Sequence, residues 1–103
     1  MQERRSSKRV PVNLAARWEG VQMRDHGSIS DISASGCFLL TDGEVKASEL
    51  VRLEINFPDQ TIAQLGEVVY PVTDKGFALR FVFRKKDEVH ALERLVESLP
   101  NRG

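Results

Sequence analysis

The chain has 103 residues, 41% hydrophobic and 29% charged, and its 15 Lys and Arg side chains balance 15 Asp and Glu. That length holds one domain with one core, and that composition excludes a disordered chain. Zero net charge argues against a general nucleic-acid binder, and no apolar run approaches the roughly 20 residues of a membrane span, so a cytoplasmic protein without membrane insertion is expected.

The charge is unevenly spread. Arg4, Arg5, Lys8 and Arg9 stand against Glu3 alone, ahead of a mildly acidic remainder. Residues 2–9 contain no apolar side chain, so residues 1–10 are predicted to form a flexible basic arm and residues 11–103 the folded body. A cationic arm on an acidic body suits a compact anionic ligand held at one place better than a long phosphate backbone.

Val10-Pro11 opens the body, since proline favours an extended predecessor and sits well at the start of an edge strand. A strand is predicted over 12–19, where Val12, Leu14 and Ala16 alternate with Asn13, Ala15 and Arg17, and Trp18 continues the apolar face as a core residue. Gly20 turns the chain, residues 21–24 form a short second strand, and Asp25-His26-Gly27 reads as a turn. Strands over 28–32 and 37–41 then flank a polar corner, Asp31-Ile32-Ser33-Ala34-Ser35-Gly36. After a loop over 44–49, residues 50–57 give the cleanest period of two, with Val51, Leu53, Ile55 and Phe57 on one face.

Pro58-Asp59-Gln60 is a turn, and a strand over 61–70 contains Gly66, expected to mark a bulge or bend. A loop over 71–76 leads to a strand over 77–83 with Phe77, Leu79, Phe81 and Phe83 on one face. The period then changes. Val89, Leu92, Leu95, Val96 and Leu99 fall at helical spacing, with Asp87 and Glu88 at the start and Pro100-Asn101 at the end. Six or seven short strands and a C-terminal α-helix make a mainly β fold, a small β-barrel with a helix packed on it.

Two stretches carry chemistry. Arg5 and Arg9 form R-x-x-x-R, and Asp31, Ser33 and Gly36 form D-x-S-x-x-G. By itself the second is ordinary turn chemistry, with Asp and Ser capping nearby N–H groups and Gly supplying freedom in φ. Together, in this order and ahead of these strands and this helix, the two motifs resemble those of the PilZ domain family, bacterial receptors for cyclic di-GMP. The resemblance implies a six-stranded antiparallel barrel with a C-terminal helix. It extends to Gly66-Glu67-Val68-Val69-Tyr70, where the family often has Trp at the position of Tyr70. It also covers Gly76-Phe77-Ala78-Leu79-Arg80-Phe81, where Ala78 stands in place of a second glycine.

The resemblance further implies a site. Cyclic di-GMP presents two guanines and two phosphodiesters, and an arginine fork reads guanine O6 and N7, stacks on a purine face and keeps its charge. Arg5 and Arg9 would clamp guanine and phosphate. Asp31 would accept from guanine N1–H and N2–H₂, Ser33 would add a hydroxyl, and Gly36 would let the backbone approach the ligand. Tyr70 is a weaker candidate for packing on the nucleotide. Arg4 stands where the family's choice between one nucleotide and a stacked pair is influenced, and its extra guanidinium favours the pair.

The function implied is a receptor without cofactor or catalysis that changes conformation on binding and signals to a protein effector in trans. Three readings compete with it. One is a PilZ-like interaction module that binds no nucleotide, against which both complete motifs argue. Another is a barrel for single-stranded nucleic acid, which needs a basic groove with exposed aromatics. The last is an enzyme, for which His26, His90 and the lone Cys37 offer no metal-ligand spacing and only Asp25-His26 as a neighbour pair.

Overall fold

The computed structural model describes residues 8–73 and 75–99, with the backbone alone for 70–73. Its strands are β1 (Val10–Glu19), β2 (Arg24–Ile32), β3 (Gly36–Leu40), β4 (Leu50–Asn56), β5 (Thr61–Thr73) and β6 (Gly76–Val82), followed by α1 (Lys86–Glu97). The strands close into an antiparallel barrel in the order β1-β2-β3-β6-β5-β4, with β4 pairing back onto β1.

Alternation drives the closure. In β4, Val51, Leu53 and Ile55 point inward and are fully buried, while Arg52 and Glu54 face outward. Inside, Trp18 meets Phe77 edge to face at 5.3 Å, and its indole N–H donates to Thr41 Oγ1 at 3.0 Å. The Thr41 hydroxyl in turn donates to the His26 carbonyl, so the largest core side chain leaves no polar atom unpaired. The helix turns Leu92 and Val96 into the same core, and Leu99 follows them.

The α1 ends reflect local bonding rather than the expected proline alone. Glu88 Oε1 accepts from the Arg84 N–H at the start, and at the end the Ser98 N–H and hydroxyl both return to the last turn. Pro100 lies outside the described residues.

Several expected boundaries move. Residues 21–24 are not a strand of their own: Gly20 N–H donates to the Met23 carbonyl, and β2 then runs unbroken through Asp25, His26 and Gly27. Gly27 is there because of close approach, since a Cβ on it would lie 2.2 Å from the Leu40 carbonyl oxygen. The loop expected over 71–76 is shorter, as β5 continues to Thr73 and β6 begins at Gly76, whose φ of +155° suits glycine. Gly66 sits in regular register between Val51 and Phe81, and the irregularity of β5 falls between Val69 and Val72, around Pro71.

Candidate functional site

An irregularity in β2 builds the candidate site. The register of β2 shifts between Ile29 and Asp31, so Ile29 and Ile32, three residues apart, both point inward and Asp31 is turned to the outer face. Across the β1–β2 ladder Pro11 lies opposite Asp31 and Val10 opposite Ile32. That register carries Arg9, just ahead of β1, to Asp31, and their side chains form an ion pair through Nη1 and Oδ1. Both remain partly open to solvent, at 52% and 34% exposure.

The turn between β2 and β3 is held by Ser33. Its N–H donates to the Gly36 carbonyl at 2.8 Å, and its hydroxyl oxygen accepts from the N–H groups of Ser35 and Gly36 at 3.1 and 3.2 Å. The hydroxyl also contacts the Ser35 hydroxyl at 3.0 Å, and Ser33 is 1% exposed. A side chain so committed shapes the corner. Gly36 is confined as well. A Cβ there would stand 2.3 Å from the Leu79 carbonyl oxygen, so its bareness serves the packing of β3 on β6.

Beside Asp31 the barrel shows a row of half-buried outward side chains: Phe38 on β3, Ala78 on β6 and Val69 on β5, each opposite the next. Arg80 follows on β6, opposite Gly36, where its Nη2 lies 2.6 Å from Glu67 Oε1. Phe38 and Arg80 were not among the expected site residues. Alternation could have found them, because Cys37 and Leu39 inward puts Phe38 outward, and Leu79 and Phe81 do the same for Arg80. Ala78 in place of glycine covers part of this face with a methyl group.

The structure thus brings together Arg9, Asp31, Ser33 and Gly36. Arg4 and Arg5 lie outside the described residues, and Tyr70 is placed by its backbone alone, next to Val69 in β5. Cys37 is fully buried behind this face, and its burial, with Asp31 nearby, pushes the thiol up to about 12, so it packs as a small hydrophobe. Among the described residues no group of three or more His, Cys, Asp and Glu could hold a metal, and no helix is long and apolar enough to cross a membrane.

Comparison with known proteins identifies the architecture. The family model described as PilZ domain matches residues 3–98. The crystal structure of the PilZ domain of CeSA, from a cellulose-synthesising bacterium, superposes with a TM-score of 0.74 at 12% identity, covering 88% of this chain and 96% of that one. The Bacillus subtilis inhibitor of motility, MotI/DgrA, superposes with a TM-score of 0.72 at 20% identity, over 93% of this chain and 50% of that one, so this chain spans half of its length. A comparison with curated protein sequences finds no match. With the barrel, the helix and both motifs in place, the chain belongs to the PilZ domain family.

Proposed function

We propose that this chain is a cyclic di-GMP receptor, acting in the cytoplasm on a protein partner in trans, with its ligand on the outer face beside Arg9 and Asp31. PilZ domains are a family of regulatory receptors for this nucleotide, and both sequence motifs of the family are complete here. The observation that carries the reading is the Arg9–Asp31 pair. It holds a guanidinium and a carboxylate side by side, partly exposed, at the edge of an outward row that includes Phe38.

Only Nη1 and Oδ1 are engaged in that pair, so binding need not break it. The remaining donors of Arg9 suit guanine O6 and N7 or a phosphate oxygen, and Oδ2 of Asp31 suits guanine N1–H and N2–H₂. Arg5 supplies the second guanidinium from the basic segment, and Arg4 serves a second, stacked nucleotide. Ser33 and Gly36 act by fixing the corner that aims Asp31. Phe38 offers a ring against a purine, and Tyr70 is retained as a candidate contact.

Each bidentate arginine contact contributes roughly 1–3 kcal/mol of discrimination. Fixing the basic segment costs about 1–2 kcal/mol per residue ordered, which offsets much of that gain. A moderate affinity is expected, with a dissociation constant of about a micromolar, equivalent to roughly −8 kcal/mol. Ordering residues 1–9 over the barrel would change the surface seen by a partner, a disorder-to-order switch. The similar MotI/DgrA is named as an inhibitor of motility, an output that fits control exerted on another protein.

Calorimetric titration with cyclic di-GMP, with GTP as control, tests the reading. Micromolar binding that is lost in the double variant Arg5→Ala with Arg9→Ala is expected, with a ratio near two nucleotides per chain if Arg4 acts as proposed. Absence of heat, with an unchanged melting temperature at high ligand, would refute it and leave the interaction module that binds no nucleotide.

A further inference from the structure

The barrel has a bare edge on the side of the helix. Leu65 of β5 pairs with Val82, the last residue of β6, and beyond it residues 61–64 pair, among the described residues, with β4 only. Where the strands part, the chain turns into α1, and an open groove of about 850 Å³ lies between the helix and this edge. Ile62 and Leu95 give it an apolar floor, and Arg52, Arg84 and Arg94 stand around it.

Two polar features in the groove are left incompletely partnered among the described residues. Gln64 is 8% exposed, and its Nε2 donates to the Leu65 and Val82 carbonyls, both at 3.0 Å, at the fork where the ladder ends. Both amide protons are then used, and the side-chain carbonyl oxygen accepts nothing among the described residues. The three arginines form no ion pair among the described residues, and the groove's own carboxylate, Glu88, is taken by the Arg84 N–H. An edge this open is what folded proteins ordinarily cover or charge against pairing.

We propose that this groove receives an extended acidic peptide segment of a partner protein, added as a further strand along residues 61–64 of β5. Main-chain groups of such a strand meet the unpaired edge, and one of its N–H groups reaches the Gln64 carbonyl. Alternate side chains then face opposite ways, so apolar ones fill the floor at Ile62 and Leu95 while carboxylates meet the arginines. A second copy of this chain suits the groove poorly, because a two-fold contact would set the same three arginines against one another. The surface is separate from the Arg9–Asp31 face and does not depend on nucleotide binding.

The test uses the intact chain without nucleotide and a fluorescein-labelled, capped heptapeptide alternating glutamate and valine, followed by fluorescence polarisation. Saturable binding is expected, weakened about tenfold or more in the double variant Arg84→Ala with Arg94→Ala, whose fold is checked by circular dichroism. Of two further peptides, N-methylated on the valine amides or on the glutamate amides, one is expected to lose binding, since only one set faces β5. Absence of saturation by about 1 mM peptide would overturn the proposal. So would equal binding of both methylated peptides, which would mean charge attraction alone. A dimer in sedimentation velocity that the Arg84→Glu with Arg94→Glu variant dissolves would also overturn it, assigning the face to self-association.

Discussion

Substituting Gly36 by alanine separates two roles that one residue can play in such a corner. The added Cβ would sit 2.3 Å from the Leu79 carbonyl oxygen and 3.4 Å from Arg80 Cα, and the nearer neighbour is backbone of a paired strand. That is roughly 1 Å inside ordinary contact, comparable with the slack that a strand pair can absorb only by losing hydrogen bonds. The adjacent bond from the Phe81 N–H to the Ser35 carbonyl, at 2.8 Å, would be stretched as well. Overpacking of this kind costs about 1–3 kcal/mol, and about 2 kcal/mol would lower the melting temperature of a domain this size by roughly 10 °C. Thermal melts followed by circular dichroism measure this directly. A Gly36→Ala protein that melts like the parent but binds nucleotide more weakly would refute the reasoning and return the glycine to direct ligand contact.

Asp31→Asn is expected to leave stability within about 0.5 kcal/mol, because the pair with Arg9 is partly exposed, while weakening cyclic di-GMP about tenfold or more in calorimetry. Thr41→Val removes the acceptor of the buried Trp18 indole and the donor to the His26 carbonyl, and should cost about 1–3 kcal/mol in urea unfolding. Cys37 should resist iodoacetamide at pH 8 in the folded chain and react on unfolding, since its thiol is held up to about 12 from an ordinary 9.0. The folded state therefore keeps a proton that the unfolded state releases above pH 9, so this contribution is whole below pH 9. It falls by about 1.4 kcal/mol per pH unit towards 12, seen as a narrowing stability gap between the parent and Cys37→Ala.

The regular parts of the fold were legible because the period of two in β4 and β6 and the helical spacing from Val89 to Leu99 each report a single buried face. Glycines were harder. In one dimension a glycine needed both for its φ and for close approach, as at Gly76, looks the same as one needed for close approach alone, as at Gly27, and the latter was read as a turn. The site was legible in its motifs and less so in its roles. Ser33 is polar in a polar corner, and only the turn geometry reveals that its hydroxyl is spent on Ser35 and Gly36. Phe38 was absorbed into the apolar run Cys37 to Leu40, where every side chain looks like core until Cys37 and Leu39 are taken as the inward pair. The bare edge at residues 61–64 is a matter of where β6 stops, which no local pattern in β5 records.

Nucleotide binding at the face carrying Arg9 and Asp31 can be observed residue by residue. The direct measurement is a ¹H–¹⁵N NMR titration of the isotopically labelled chain with cyclic di-GMP. Shifts are expected to concentrate at residues 8–11, 31–36, 38 and 78, with α1 and residues 61–64 left in place. An unchanged spectrum at saturating nucleotide, or shifts confined to the helix and the β5 edge, would contradict binding at this face.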